Sequence, residues 1–281
     1  MAVPSYAGPL ERTWYYSFRL FCAAVFIFLI APILVIVPLS FNAEPYFSFT
    51  QGMLTLDPEA FSFRWYEEFL TSDRWIDSIK NSVIVAFCAT ILSAVLGTLA
   101  ALGLNRSELP FKGVIMGLLI SPMIVPLIIA AAGMFFFYSK LGISQSYLGL
   151  ILAHTALGTP FVVITVTATL SNFDHTLVKA GASLGATPTY TFFKVTMPLI
   201  MTGVISGALF AMMTSFDEVI VAIFIAGVEQ RTIPLQMWSG IREQISPTIL
   251  AVATILITFS IIMLTTVEIL RRRSDRIRGI H

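Results

Sequence analysis

Long uncharged stretches dominate the pattern of hydrophobic and polar residues along the chain. Six stretches of at least 22 residues contain no Asp, Glu, Lys or Arg: 20–43, 81–105, 113–139, 141–173, 195–216 and 244–267. An α-helix rises about 1.5 Å per residue, so about 20 residues cross a hydrocarbon core about 30 Å thick. We therefore predict an all-α membrane protein, a single domain over 1–281 with six transmembrane helices, at about 20–41, 80–104, 113–138, 146–171, 198–226 and 247–270.

The composition supports lipid as the solvent of most of the chain. Hydrophobic residues make up 57% of the 281 residues and charged residues only 12%, whereas soluble domains carry about 25% charged residues. The net charge of +1 argues against nucleic acid as a partner, because nucleic acid requires a basic face. Cys22 and Cys88 lie inside apolar runs, which favours small buried hydrophobes over a disulfide or a metal pair.

The distribution of Lys and Arg predicts the orientation of the helices. With the N-terminus in the cytoplasm, 11 of the 17 basic residues fall in cytoplasmic segments and 6 in external ones. This excess agrees with the positive-inside rule. Six spans then place both the N- and the C-terminus in the cytoplasm.

The longest polar interval, residues 42–79, is predicted to be an external loop. Its stretch 61–70 (FSFRWYEEFL) is amphipathic, and Trp65, Tyr66 and Trp75 are residues that suit a membrane interface. We interpret 61–70 as a short interfacial helix. A docking face for a soluble partner is the alternative.

Prolines inside the predicted spans indicate bent helices. Pro122 and Pro126 fall in the third span and Pro160 in the fourth. Each removes a backbone donor, and such bends are typical of bundles that line a pathway and move.

The segment 172–197 (NFDHTLVKAGASLGATPTYTFFKVTM) is too polar to be a span and lies on the predicted cytoplasmic side. Asp174 is placed to cap a following helix. Small residues follow it, and they allow another protein to approach closely: Ala180, Gly181, Ala182, Gly185 and Ala186. The segment is either an amphipathic connector or a docking helix for a cytoplasmic protein.

The same segment resembles the EAA loop of permeases in binding-protein-dependent ABC importers. The matching residues are Lys179-Ala180-Gly181, Leu184-Gly185-Ala186, Phe192 and Met197-Pro198. Lys179 stands where that pattern has Glu, so the role of the Glu is not transferred to it. The resemblance implies a cytoplasmic segment that couples to an ATPase through Asp174, Lys179, Ala180, Gly181, Leu184, Gly185, Ala186 and Pro198.

Residues 214–262 are similar to the second permease of bacterial spermidine/putrescine importers, notably at 215–218, 233–235, 246–247 and 251–255. The resemblance implies a type I importer in the bacterial inner membrane. Its expected partners are a sister permease, two ATPase subunits, a periplasmic binding protein and membrane lipid. It implies a polyamine or related organic amine as solute, with amino-acid-like or sugar-amine compounds as alternatives.

Three polar residues inside the predicted spans are candidates for the solute pathway. Asp217 and Glu218 lie near the end of the fifth span and His154 lies in the fourth. Acids inside a membrane are costly and face the bundle interior or water. They either line the pathway or bond the backbone at a helix break, and His154 is predicted to form an interhelical hydrogen bond.

Motifs for catalysis are missing from the sequence. It contains no G-x-x-x-x-G-K-[ST] and no cluster with metal-ligand spacing. We therefore expect a non-enzymatic subunit without a cofactor, whose partner ATPase binds ATP and Mg²⁺. A membrane enzyme and an ion-driven secondary transporter are the rival classes; the latter typically shows internal repeats, and none is evident.

Overall fold

A computed structural model describes residues 8–105, 109–171, 173–243 and 246–277. Both chain termini, residue 172 of the predicted coupling segment and the basic residues Arg106 and Arg278 therefore lie outside the described residues. The described residues fall into two compact units, Met1–Leu70 with Ile245–Ile257 and Thr71–Gln244 with Thr258–His281. The single domain over 1–281 and the cytoplasmic location of both termini stay predictions.

The described part of the chain is built from helices, as predicted. The first unit begins with α1 (Pro9–Leu39), α2 (Gln51–Leu54), a 3₁₀ turn (Pro58–Ala60) and α3 (Arg64–Thr71). The following helices are α4 (Asp73–Leu104), α5 (Lys112–Ile124), α6 (Leu127–Lys140), α7 (Tyr147–Ser171), α8 (Thr176–Ser183), α9 (Pro188–Thr191), α10 (Met197–Asp217), α11 (Ile220–Ile225), α12 (Ile233–Glu243) and α13 (Thr248–Ile277).

Five helical segments of the described chain are long and apolar enough to cross a membrane, and a bent pair raises the number to six. The bent pair is α5 and α6, which meet at 104°. Val125, between them, precedes Pro126 and adopts the extended conformation (φ −67°, ψ 136°), because a following proline disfavours helical geometry. The predicted bend of the third span is thus confirmed at Pro126.

Helix α7 forms the centre of the second unit. Its N-terminal half packs through Leu150, Ala153 and Leu157 into a buried cluster with residues of α4, α6 and α11. Its C-terminal half packs through Val162 and Val166 against α4 and α10. The approach of α10 is close at Gly207, where an added Cβ would lie 2.6 Å from the Cα of Val162. Small residues permit such contact between membrane helices.

Helix α10 continues directly from the segment that precedes it. A π-helical turn, Phe192–Thr196, joins α9 to α10 and makes one helical segment of Pro188–Asp217. Pro198, predicted to start the fifth span, lies just after this turn and has no N–H to donate to an ordinary helical bond. The wide turn accommodates that missing donor.

The first unit contains a long exposed helix, a folded loop and the start of α13. Of the residues of α1, all of which the structure describes, Leu39 alone is buried. The other side chains of α1 therefore face lipid or another chain. The loop folds around Trp65, whose Nε1 donates to the carbonyl of Asn42 at 2.7 Å.

The interfacial role predicted for two tryptophans is wrong. Trp65 in α3 and Trp75 in α4 are both buried, because they fill the interior rather than extend toward a membrane surface. The predicted short helix is nevertheless present as α3.

Candidate functional site

Helix α8 is defined at both ends by local hydrogen bonds. At its start, Asp174 Oδ1 accepts the backbone N–H of Thr176 at 2.9 Å. The hydrogen bonds from Thr176, the backbone one first, hold the pKa of Asp174 below its usual value. At its end, Gly185 N–H donates to Ala182 and Ala186 N–H donates to Gly181, each at 3.0 Å. This pair of bonds is the Schellman motif.

Gly185 requires the conformational freedom of glycine. Its φ is +80°, in the left-handed region that other L-residues adopt only at a cost. The chain then turns sharply, and Thr187 Oγ1 accepts the N–H of Tyr190 to begin α9. The sequence therefore folds 174–191 into two short helices joined by a hydrogen-bonded turn.

Apolar side chains project from this pair of helices. We call Leu177, Leu184, Tyr190 and Phe193 the α8–α9 apolar surface. Leu184 is 88% exposed and Phe193 is 62% exposed. Three of the five small residues predicted for docking, Gly181, Gly185 and Ala186, line a hollow of about 550 Å³ beside Leu184. Exposed apolar groups around a hollow are typical of a surface that another protein covers.

A larger cavity of about 820 Å³ opens on another side of α8, and we call it the Lys179 cavity. Its polar side chains include Lys179, Asn105 and His175, and the last two lie within hydrogen-bond distance at 3.3 Å (Nδ2 to Nε2). The described residues that line it are Leu102, Asn105, Leu109, Pro110, Leu170, Phe173, His175, Val178, Lys179, Phe192 and Thr196.

The two predicted pathway acids occupy different environments at a helix break. Asp217 is the last residue of α10 and is exposed, whereas Glu218 is buried. Glu218 Oε1 accepts the N–H of Val221 at 2.9 Å and so caps the start of α11. The break itself follows from the extended backbone of Glu218 (ψ 117°).

His154 is buried in α7 and is hydrogen-bonded across helices, as predicted. Its Nδ1 and the Oγ of Ser215 in α10 share a hydrogen bond of 2.7 Å. Among the described residues its Nε2 has no partner. The bond joins α7 to α10 two residues before Asp217, a proximity that no sequence spacing revealed.

We expect Ser215→Ala to destabilise the chain by about 1 kcal/mol, because it leaves the buried His154 without its hydrogen bond. Thermal unfolding of the detergent-solubilised protein measures the change. Thr214→Ala is the control, since Thr214 Oγ1 donates to the carbonyl of Phe210 in its own helix. Equal unfolding midpoints for the two variants would contradict a stabilising His154–Ser215 bond.

A polar cavity that the sequence did not predict lies at the other end of the second unit. It measures about 420 Å³ and is lined in part by Arg74, Asp77, Glu229 and Arg231. At its wall, Asn81 Nδ2 donates to the carbonyls of Glu229 and Arg231 at 2.8 and 2.9 Å. One signal for this cavity is present in the sequence, the polar start of the second predicted span. That signal does not show that Asn81 contacts Glu229 and Arg231, which lie far along the chain.

The predicted site residues thus form two groups. Asp174 to Ala186 come together in α8 and its C-terminal turn, and Pro198 follows after α9 and the π turn. His154 meets the end of α10, where Asp217 and Glu218 lie. Among the described residues, no group of three or more His, Cys, Asp or Glu side chains is arranged to hold a metal ion.

Comparison with known proteins agrees with this architecture. Residues 93–276 match the family described as the binding-protein-dependent transport system inner membrane component. The chain is 31% identical to the spermidine/putrescine transport system permease protein PotC of Haemophilus influenzae, over 91% of this chain and 96% of that protein. It is also 31% identical to the putrescine transport system permease protein PotI of Escherichia coli, over 83% and 82%.

A solved structure supports the fold. The chain resembles a bacterial ABC transporter involved in the import of the acidic polysaccharide alginate, with a TM-score of 0.69, 14% identity, and coverage of 95% of this chain and 98% of that one. The fold, the α8 segment with its C-terminal turn, and the helix break at Glu218 together define a permease subunit of an ABC importer. The chain belongs to the family of inner membrane components of binding-protein-dependent transport systems, and it is a multi-pass protein of the inner membrane.

Proposed function

We propose that this permease carries a polyamine such as spermidine or putrescine, or a related small organic amine, into the cell. It forms the pathway with a sister permease, receives the solute from a periplasmic binding protein, and is driven by two ATPase subunits that hold ATP and Mg²⁺. The two relatives, whose names specify spermidine or putrescine transport, support the solute class.

The observation that carries the coupling role is the α8–α9 apolar surface. Leu184, 88% exposed, stands on a short helix whose two ends are fixed by hydrogen bonds. A helix whose ends are held in this way moves as a rigid body when a bound partner changes its conformation. Beyond the turn at Gly185, α9 continues through the π turn into α10 and provides a path from a cytoplasmic partner to the helix break at Glu218. The sequence has no nucleotide-binding motif of its own, so the energy has to come from that partner.

The polar cavity beside Asn81 supports a role in receiving the binding protein. It lies at the end of α4 that the charge distribution places outside the membrane. Its lining contains charges of both signs: positive from Arg74 and Arg231, and negative from Asp77 and Glu229. Interspersed charges of this kind orient a protein partner during its approach.

The experiment that tests the proposal is purification of the full chain from its native membrane, with mass spectrometry of the co-purifying proteins, followed by uptake of radiolabelled spermidine and putrescine in vesicles. We expect a second permease, an ATPase, and ATP-dependent uptake. Isolation of the intact chain alone, or uptake driven by an ion gradient without ATP, would contradict the importer and favour a secondary transporter. ATP-driven uptake of another solute would contradict only the polyamine.

We expect Asp217→Asn with Glu218→Gln to slow polyamine uptake roughly tenfold without blocking assembly, because a pathway lined by carboxylates concentrates a cationic solute. Glu218→Gln keeps an oxygen that accepts the Val221 N–H, so it removes charge and leaves the helix cap. The measurement is the initial uptake rate in vesicles. Asp73→Asn, at an exposed acid in the first turn of α4, is the control, and unchanged uptake by the double variant would refute the pathway role.

A further inference from the structure

Helix α3, in the first unit, has an apolar side that the rest of the unit leaves uncovered. Trp65 and Phe69 point into the folded loop and are buried. Tyr66 and Leu70 are four residues apart and share another side of the helix, where Tyr66 is half-buried and Leu70 is exposed. Phe63, whose carbonyl accepts the first helical N–H groups, is 72% exposed. We call Phe63, Tyr66 and Leu70 the α3 apolar face.

The charged residues of α3 lie on a third side. Arg64, Glu67 and Glu68 are all exposed. Arg64 Nη1 donates to the carbonyl of Ala43 at 2.9 Å, and Glu68 Oε2 accepts the hydroxyl of Thr248 at 2.8 Å. A helix that carries an exposed apolar side beside a charged side is typical of helices that lie along a membrane surface.

The α3 apolar face is attached to the end of α1. The hydroxyl of Tyr66 and the Oγ of Ser40, the residue after α1, share a hydrogen bond of 2.6 Å. The ring of Phe41 packs on Tyr66 and Phe63, with centroids 5.1 and 5.3 Å apart. The position of the α3 apolar face along the membrane normal is therefore the position at which α1 ends.

The length of the uncharged part of α1 defines that position. It covers residues 20–39, which extend about 30 Å as a helix, the thickness of the hydrocarbon core. Arg19, with its guanidinium 4.9 Å from the centre of the Tyr15 ring, precedes this stretch and marks one surface of the core. The end of α1 and the α3 apolar face then lie at the opposite surface, which the charge distribution places outside the cell.

The surroundings of α1 indicate lipid rather than protein at this level. Residues 26–29, one full turn of α1, are all exposed. A neighbouring helix packs against one side of another helix, so the other sides of α1 face lipid even with a sister permease in place. The binding protein is soluble and approaches from water, so it does not reach the edge of the hydrocarbon core.

We propose that the α3 apolar face inserts into the lipid at the external surface of the membrane, while the charged side of α3 faces water. The insertion anchors the external loop to the bilayer beside the end of α1. Phe63, Tyr66 and Leu70 take the interfacial position that the sequence predicted for Trp65, which packs inward instead. Insertion does not depend on which solute the importer carries.

The test places the photo-crosslinking residue p-benzoylphenylalanine at Phe63 and, in a second variant, at Leu70. The full importer is illuminated in its native membrane, and the mass of the purified chain is then measured. We expect both variants to gain the mass of one phospholipid. The same residue at Phe28, exposed in the middle of the predicted first span, serves as the lipid control.

Glu68 provides the matched control on the charged side. It is two residues from both Tyr66 and Leu70, so it lies about 200° around the helix from each. We expect p-benzoylphenylalanine at Glu68 to gain no phospholipid. A near-normal thermal unfolding midpoint shows that each variant has folded.

Three results would overturn lipid insertion. Crosslinks from Phe63 and Leu70 to a second membrane protein would identify the sister permease as the occupant, and crosslinks to a soluble protein would identify the binding protein. A lipid adduct at Phe28 with none at Phe63 or Leu70 would place the α3 apolar face in water. Equal lipid adducts at Glu68 and Leu70 would contradict the assignment of the two sides of α3.

Discussion

Replacing Gly207 with valine is expected to prevent α10 from packing against α7. A Cβ at this position would collide with Thr165 Oγ1 and would lie 2.6 Å from the Cα of Val162 and 3.2 Å from its backbone nitrogen, so backbone has to move as well as a side chain. Overpacking of this kind costs about 3 kcal/mol or more where the neighbours are rigid. Size-exclusion profile and thermal unfolding midpoint of the purified chain in detergent measure the effect.

The matched control is Gly117→Val in α5. An added Cβ there meets no atom within 4 Å, so the same gain of a β-branched side chain inside a helix occurs without a clash. We expect this variant to purify as a single species with a near-normal midpoint. If the Gly207 variant proved as stable as the Gly117 variant, the close contact of α10 with α7 would not be a requirement of the fold.

Replacing Leu184 with aspartate is expected to remove the ATPase while leaving the permease folded. The side chain is 88% exposed, so its loss costs the isolated chain little, but a carboxylate inside a docked interface would be desolvated without a partner. A loss of about 30-fold or more in affinity corresponds to about 2 kcal/mol, the scale of a central interface residue. Recovery of ATPase with affinity-purified permease, and ATP-driven uptake, are the measurements.

Two further variants separate the possible causes of such a loss. Leu184→Lys introduces the charge that a helix C-terminus favours, so loss of ATPase with this variant as well attributes the effect to the missing apolar contact. Leu56→Asp makes the original change at a leucine that is 77% exposed in the first unit and should bind ATPase normally. Retention of ATPase by both Leu184 variants would show that the α8–α9 apolar surface is not the docking site.

Local sequence was sufficient for the helices and for the coupling segment. Runs of more than 20 uncharged residues have to be helical in lipid, because no water is present to satisfy their backbone groups. The bend at Pro126 was readable for the same reason, since it depends on the conformational preference of the residue before a proline. The turn at Gly185 depends on a single glycine as well, but Gly185 was predicted only as a small residue of a docking surface.

The candidate pathway site was only partly predictable. The pair Asp217-Glu218 was identified as either lining the pathway or bonding the backbone at a break, and its two members differ in the structure: Asp217 is exposed and Glu218 caps α11. One residue's difference in sequence changes the direction of a side chain by about 100° on a helix, and more at a break. Periodicity therefore could not decide which acid met the backbone.

The amino-acid sequence by itself determined that the chain is an all-helical membrane protein and which cytoplasmic segment matches the coupling loop of importer permeases. Tertiary structure alone decided that Asn81 binds the carbonyls of Glu229 and Arg231, that His154 meets Ser215, and that Lys179 lines a cavity. Helix formation depends on residues within one or two turns of each other, so the local sequence is enough to determine it. Those contacts join residues 60 to 150 positions apart, and they exist only after α4, α7 and α10 have packed together.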